Sequence, residues 1–184
     1  ALNDLGINYR RMGLYYEALL HHSQAIATAQ KKKHCRKLMK CEAIGYNGMG
    51  NAYLSTGHYL SADSMLRKAL TIETQLGSHL GMNVDNANLG QVFERRGLYD
   101  SARVYFQRGY EHGILAKSAT GKAYSHMNFG RLYQHEGRYQ YAVAEFQLAM
   151  DAISPERDLW LWIQPCIAMA GVQVVMKKHD EALK

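Results

Sequence analysis

Apolar and small residues return along this chain in a fixed order, separated by polar steps of constant length. The first copy places Leu5-Gly6, Tyr9, Gly13, Tyr15, Ala18 and Ala25. The second has Met49-Gly50, Tyr53, Gly57, Tyr59, Ala62 and Ala69. Leu89-Gly90, Phe93, Gly97, Tyr99, Ala102 and Gly109 form the third, and Phe129-Gly130, Tyr133, Gly137, Tyr139, Ala142 and Ala149 the fourth. The anchor glycines stand at 6, 50, 90 and 130, so the period is 44, then 40, then 40 residues. A period in that range is the mark of one supersecondary unit stacked on itself.

Within a copy, Leu5, Gly6 and Tyr9 fall on one face of a first helix, and Tyr15, Ala18, His22 and Ala25 form the stripe of a second. The four-residue steps between them end in Gly13, Gly57, Gly97 and Gly137, which suits the left-handed position that closes a helix. Gly6, Gly50, Gly90 and Gly130 lie inside the first helices, where each costs about 1 kcal/mol against alanine. Their recurrence predicts a helix crossing too close for a Cβ, with Ala18, Ala62, Ala102 and Ala142 opposite. The predicted fold is all-α: antiparallel helix pairs stacked into one right-handed solenoid. Its units are 1–34, 38–77, 78–117, 118–154 and an irregular fifth, 155–184, in which Met169-Ala170 replaces the Leu-Gly pair and Gln173 and His179 replace the aromatics. In that last unit, Ser154-Pro155-Glu156 reads as a helix start, Pro165 as a kink near Leu161, and Trp160 and Trp162 as packing or as an apolar wall.

The pattern resembles the tetratricopeptide repeat, over four full units and a partial fifth. The period of 40 is similar to the long-helix members: kinesin light chains, Pins-type scaffolds and bacterial Rap-type peptide receptors. The resemblance implies a single binding domain whose first helices line a concave groove for an extended peptide. Counted from the anchor glycines, the groove candidates are Asn3, Arg10 and Arg11; Asn47, Asn51 and Ser55; Asn88, Gln91, Glu94 and Arg95; and Asn128, Arg131, Gln134 and His135. Asn and Gln offer a donor and an acceptor to a peptide group, and Arg matches carboxylates. Asn88-Leu89-Gly90 and Asn128-Phe129-Gly130 look like the asparagine ladder of kinesin-light-chain and Pins-type repeats, whereas Asp4 and Gly48 interrupt it. Ala87 and Met127 stand where the two-carboxylate clamp of chaperone-binding repeats needs polar residues, so that specificity is not carried over.

Charge adds one local feature. The net +6 is concentrated in Lys31, Lys32, Lys33, Arg36, Lys37 and Lys40, which read as a solvated inter-repeat loop, with no interleaved aromatics of the kind that stack nucleic acid. No uninterrupted apolar run reaches a membrane span. Three cysteines, an odd number without a CxxC pair, lean toward a reducing, cytoplasmic setting, and His34, Cys35 and Cys41 lack zinc-site spacing. Gly45, Gly48 and Gly50 lie in a repeat helix and not in a phosphate loop, and no triad, HExxH or nucleophile elbow is present. The expectation is a non-enzymatic, cofactor-free scaffold for a partly acidic protein segment, part of a longer protein, with an uncapped last unit open to self-association. The alternative is the sensor segment of a bacterial signalling or transcription-regulatory protein.

Overall fold

The computed structural model describes residues 1–31, 35–156 and 158–182, with side chains to 177. Lys32, Lys33 and His34 of the basic segment, and the side chains of His179 and Ala182, lie outside the described residues. Nine helices and no strand are found among the described residues: α1 (Leu2–Arg11), α2 (Tyr15–Gln30), α3 (Arg36–Ser55), α4 (Tyr59–Gln75), α5 (His79–Arg95), α6 (Tyr99–Leu115), α7 (Ala119–His135), α8 (Tyr139–Asp151) and α9 (Leu159–Ala182). Each packs on its neighbour in sequence, forming an all-helical repeat solenoid.

The turn within each pair follows from one backbone position. Gly13, Gly57, Gly97 and Gly137 take φ between 72° and 78°. The residue after each donates its N–H five residues back, as His58 does to the Tyr53 carbonyl. That bond satisfies an orphan carbonyl and reverses the chain in two residues. Between pairs, Gly77 (φ 61°) does the same after α4, but Lys117 (φ 51°) does it after α6, against the steric preference of a side chain. Ser78 and Ser118 then cap α5 and α7 by accepting from the N–H groups of Gly81 and Gly121.

The interior glycines are close-packed, with a correction to what faces them. A Cβ on Gly50 would sit 2.6 Å from Leu66, and one on Gly90 or Gly130 would sit 2.4 Å from Phe106 or Phe146. The notch therefore receives a large side chain from the second helix, one turn beyond the fully buried Ala62, Ala102 and Ala142. Apolar area is removed from water by pressing a ring onto bare backbone, which two small residues in contact could not achieve. In the first unit the inserted side chain is the fully buried His22.

Two further readings are corrected. Half of the basic segment is helix: Arg36 donates to the Leu76 carbonyl at the end of α4 (2.8 Å), and Lys40 pairs with Glu73 at 2.7 Å. A buried carboxylate needs a counter-charge and a helix end needs a donor, so these cations dock. Ser154-Pro155 forms a turn, and α9 starts at Leu159 because the Asp158 carboxylate accepts from the Leu161 N–H (2.9 Å). The helix runs through Pro165, which is buried with Leu161 and Val172. Trp162 packs on the Ala123–Ile153–Leu161 cluster while Trp160 is exposed. Leu159–Lys177 is also long and apolar enough to cross a membrane, at mean hydropathy 1.6. Gln164, Gly171 and Gln173 interrupt it, so the sequence holds no unbroken apolar run of that length.

Successive odd-numbered helices touch one another from α1 to α9, whereas successive even-numbered helices do not. The odd layer is thus the tighter one, and the ribbon curves with α1, α3, α5 and α7 on its inner side.

Candidate functional site

Helical spacing of three and four residues sets out one inward stripe per odd helix. On α3 it runs through Lys40, Ile44, Asn47, Asn51 and Ser55. On α5 it comprises Leu80, Val84, Asn88, Gln91 and Arg95, and on α7 Tyr124, Met127, Arg131 and His135.

Five of the sequence-predicted residues, Ser55 among them, share one recess. Arg10, Asn51, Gln91 and Arg95, with Leu54, Ser55 and Tyr59, line a polar cavity of about 400 Å³ where α1, α3 and α5 end. Among the described residues neither Arg10 nor Arg95 has a carboxylate partner, and Gln91 makes no side-chain hydrogen bond. Partial burial, then the neighbouring Arg11, push the Arg10 guanidinium below its ordinary value, so an incoming anion would relieve both. Asn88 is half-buried with its amide unengaged, and Gln134 is exposed. Arg11 is exposed too, and its charge opposes the rise that burial and Asp158 impose on the Tyr124 hydroxyl.

Asn51, within that recess, and the remaining predicted residues are engaged internally. Asn3 donates to the Cys41 carbonyl (2.9 Å) and accepts from His22 Nδ1 (3.0 Å). Burial, then Arg10 and His21, lower His22 to about 4. Its Nε2 has no partner. Asn51 donates to the Asn47 side-chain oxygen (2.9 Å), and Asn47 donates to Asp85 Oδ1 (2.6 Å). On α7, Asn128 is buried and accepts from Arg131 (2.8 Å). Arg131 also meets the buried Glu94 at 3.3 Å, and His135 Nε2 lies 3.4 Å from the same carboxylate while its ring stacks on Tyr99. Glu94 thereby neutralises the α7 end of the stripe.

The stripe also has apolar members, which residue polarity alone does not reveal. Ile44, Val84 and Tyr124 are exposed at positions 44, 84 and 124, each six residues before an anchor glycine. Their recurrence at the 40-residue period was the available signal. They make the inner face amphipathic, with apolar residues toward the helix N-termini and the arginine recess toward the C-termini. A second, larger cavity of about 660 Å³ opens away from this stripe, between α6 and α8, over Phe129 and Tyr133. No group of three or more His, Cys, Asp or Glu among the described residues could hold a metal ion.

Residues 43–75, spanning α3 and α4, match the family model described as Tetratricopeptide repeat. The match covers one helix pair of the chain. Three further helix pairs repeat its anchors and turns. The fold is similar to that of BtubC (BKLC) from P. vanneervenii, whose crystal structure aligns over 98% of this chain and 74% of its own, with a TM-score of 0.75 and 18% identity. Likeness at that identity speaks for the fold alone. No curated protein matches the sequence. Tetratricopeptide repeats generally serve as scaffolds for protein–protein interaction.

Proposed function

We propose that the inner face binds an extended, partly acidic segment of another protein, with a carboxylate of that segment seated between Arg10 and Arg95. The observation that carries this reading is the arginine recess: two guanidinium groups facing one polar cavity without an internal acid. An unpaired Arg offers a planar fork matched to a carboxylate, and partial desolvation strengthens the bond that forms. Gln91 and Asn88 stand beside it with amide groups suited to a peptide backbone. Ile44, Val84 and Tyr124 supply apolar contact along the same track. The three free cysteines suit a reducing compartment and support a cytoplasmic setting.

Titration with short acidic peptides tests this. Arg95→Glu should remove binding of glutamate-containing peptides while leaving helical circular dichroism unchanged. Equal affinity for wild type and variant would contradict the reading.

A further inference from the structure

Between α3 and α5, toward their N-termini, lies a smaller recess of about 200 Å³. Ile44, Leu80 and Val84 form an exposed apolar mouth, and Lys40, Asn47, Glu73 and Asp85 contribute its polar lining. Asp85 is 2% exposed. One of its oxygens, Oδ1, accepts from Asn47, and the other, Oδ2, is buried without any partner. Leaving such an acceptor unmet carries its full desolvation cost, which a donor arriving from outside would recover.

The charges around Asp85 are few. From α3 come Lys40 and the Asn47 amide, and from α4 comes Glu73. Both Glu73 oxygens lie 2.7 Å from the Lys40 ammonium, which is also 3.3 Å from Ser78 Oγ. That pair is closed on itself, so an ionised Asp85 leaves the cluster with one negative charge in excess. Burial, with the Glu73 charge adding to it, holds the Asp85 carboxyl at about 7, against the opposing pull of Asn47 and Lys40.

We infer that this recess takes a lysine side chain of the bound segment, its ammonium donating to Asp85 Oδ2 and its methylenes lying against Ile44, Leu80 and Val84. The inference rests on the reading of the inner face as a peptide groove and adds a second specificity to it. A guanidinium fork wants two acceptor oxygens, and Asp85 has one to give, whereas an ammonium is a point donor. An apolar mouth over a buried acid also matches the lysine stem, which buries well along apolar surface. Asp85 and Arg95 lie ten residues apart on α5, about 15 Å at the helical rise. Extended chain covers that distance in roughly four to five residues. The recognised segment therefore has a lysine and an acid separated by that interval.

The test is an array of short peptides in an Asn/Ser/Ala background, with one lysine fixed and one glutamate moved through successive separations. Each peptide is repeated with norleucine in place of lysine, and all are read with the full chain, Asp85→Asn and Arg95→Glu. Binding should peak at separations of four to five and fall about tenfold or more with norleucine. Asp85→Asn, of the same shape, should bind the lysine and norleucine peptides alike. For the wild type, lysine-peptide affinity should also weaken about tenfold per pH unit below 7, since Asp85 must give up its proton, and for Asp85→Asn it should not. Equal binding of lysine and norleucine peptides, or an Asp85→Asn protein that still tells them apart, overturns the lysine recess. If Arg95→Glu nevertheless destroys binding, the groove itself stands. If Arg95→Glu has no effect, or no peptide binds, both readings fall.

Discussion

Arg95 on α5 and Arg131 on α7 occupy neighbouring places on the inner stripes, yet their surroundings differ. Arg131 is held by Asn128 and the buried Glu94, and His135 approaches the same acid. Arg95 shares its recess with Arg10, Asn51 and Gln91 and has no acid opposite it. An arginine closed on a buried carboxylate rigidifies the stack and offers little to a ligand. One without a partner leaves the stack unaided and is available. Residue type therefore does not separate structural from ligand-binding arginines here; the helix packed alongside does.

The largest effect that would break this comparison is on binding. Replacing Arg10 and Arg95 together by alanine should weaken an acidic peptide by more than about a hundredfold, since charge-assisted bonds contribute about 1.5–3 kcal/mol each. Arg131→Ala should change affinity less than threefold in the same titration.

Acid should separate the two ends next. His22 is lowered to about 4 from an ordinary 6.5, chiefly by burial. The native chain then binds fewer protons than the unfolded one between those values. Its contribution is complete above about 6.5 and is lost as pH falls toward 4, on the order of 2–3 kcal/mol. Hydrogen exchange should show α1–α3 opening at pH 4.5 while α5 and α6 stay protected, and His22→Leu, which copies Leu66, should flatten that dependence.

A smaller effect lies at the α7 end. Arg131→Ala strands Glu94 and should lower stability by about 1–2 kcal/mol, less than for a fully buried pair because Arg131 is a third exposed. Adding Glu94→Gln should restore part of it in a thermal melt, since the two changes act on one contact. The smallest effect is Lys117→Gly, which copies Gly77 at the equivalent turn. It should stabilise by about 0.5–1 kcal/mol in denaturant melts, because a left-handed side chain costs about 1–2 kcal/mol and glycine's added chain entropy offsets part of the gain.

These contrasts also mark what could be read before the fold was known. The 40-residue period contains the helix pairs, the turn at Gly57 and the notch at Gly50, because each is a local or nearest-neighbour property. The occupant of the notch is different: a small residue that recurs shows that something comes close, but Leu66 had to be placed by packing. The arginines and asparagines of the inner stripes follow from helical spacing alone. Which of them are free does not, because Glu94 and Arg131 are 37 residues apart and meet only across two helices. Ile44, Val84 and Tyr124 recur at the repeat period, but hydrophobicity alone does not separate a groove-facing residue from a core one. The start of α9 does not follow from sequence because Ser154-Pro155 and Asp158 both suit a helix cap; the cap at Asp158 is accompanied by Leu161 packing on Ala123 and Ile153, a contact between distant parts of the chain.

A charge exchange across the arginine recess tests the central claim most directly. A peptide whose glutamate is changed to lysine should fail to bind the wild-type chain and should regain most of its affinity for Arg95→Glu. If Arg95→Glu binds neither peptide better than wild type, or if the exchange succeeds at Arg131 instead, the partner's carboxylate is not seated between Arg10 and Arg95.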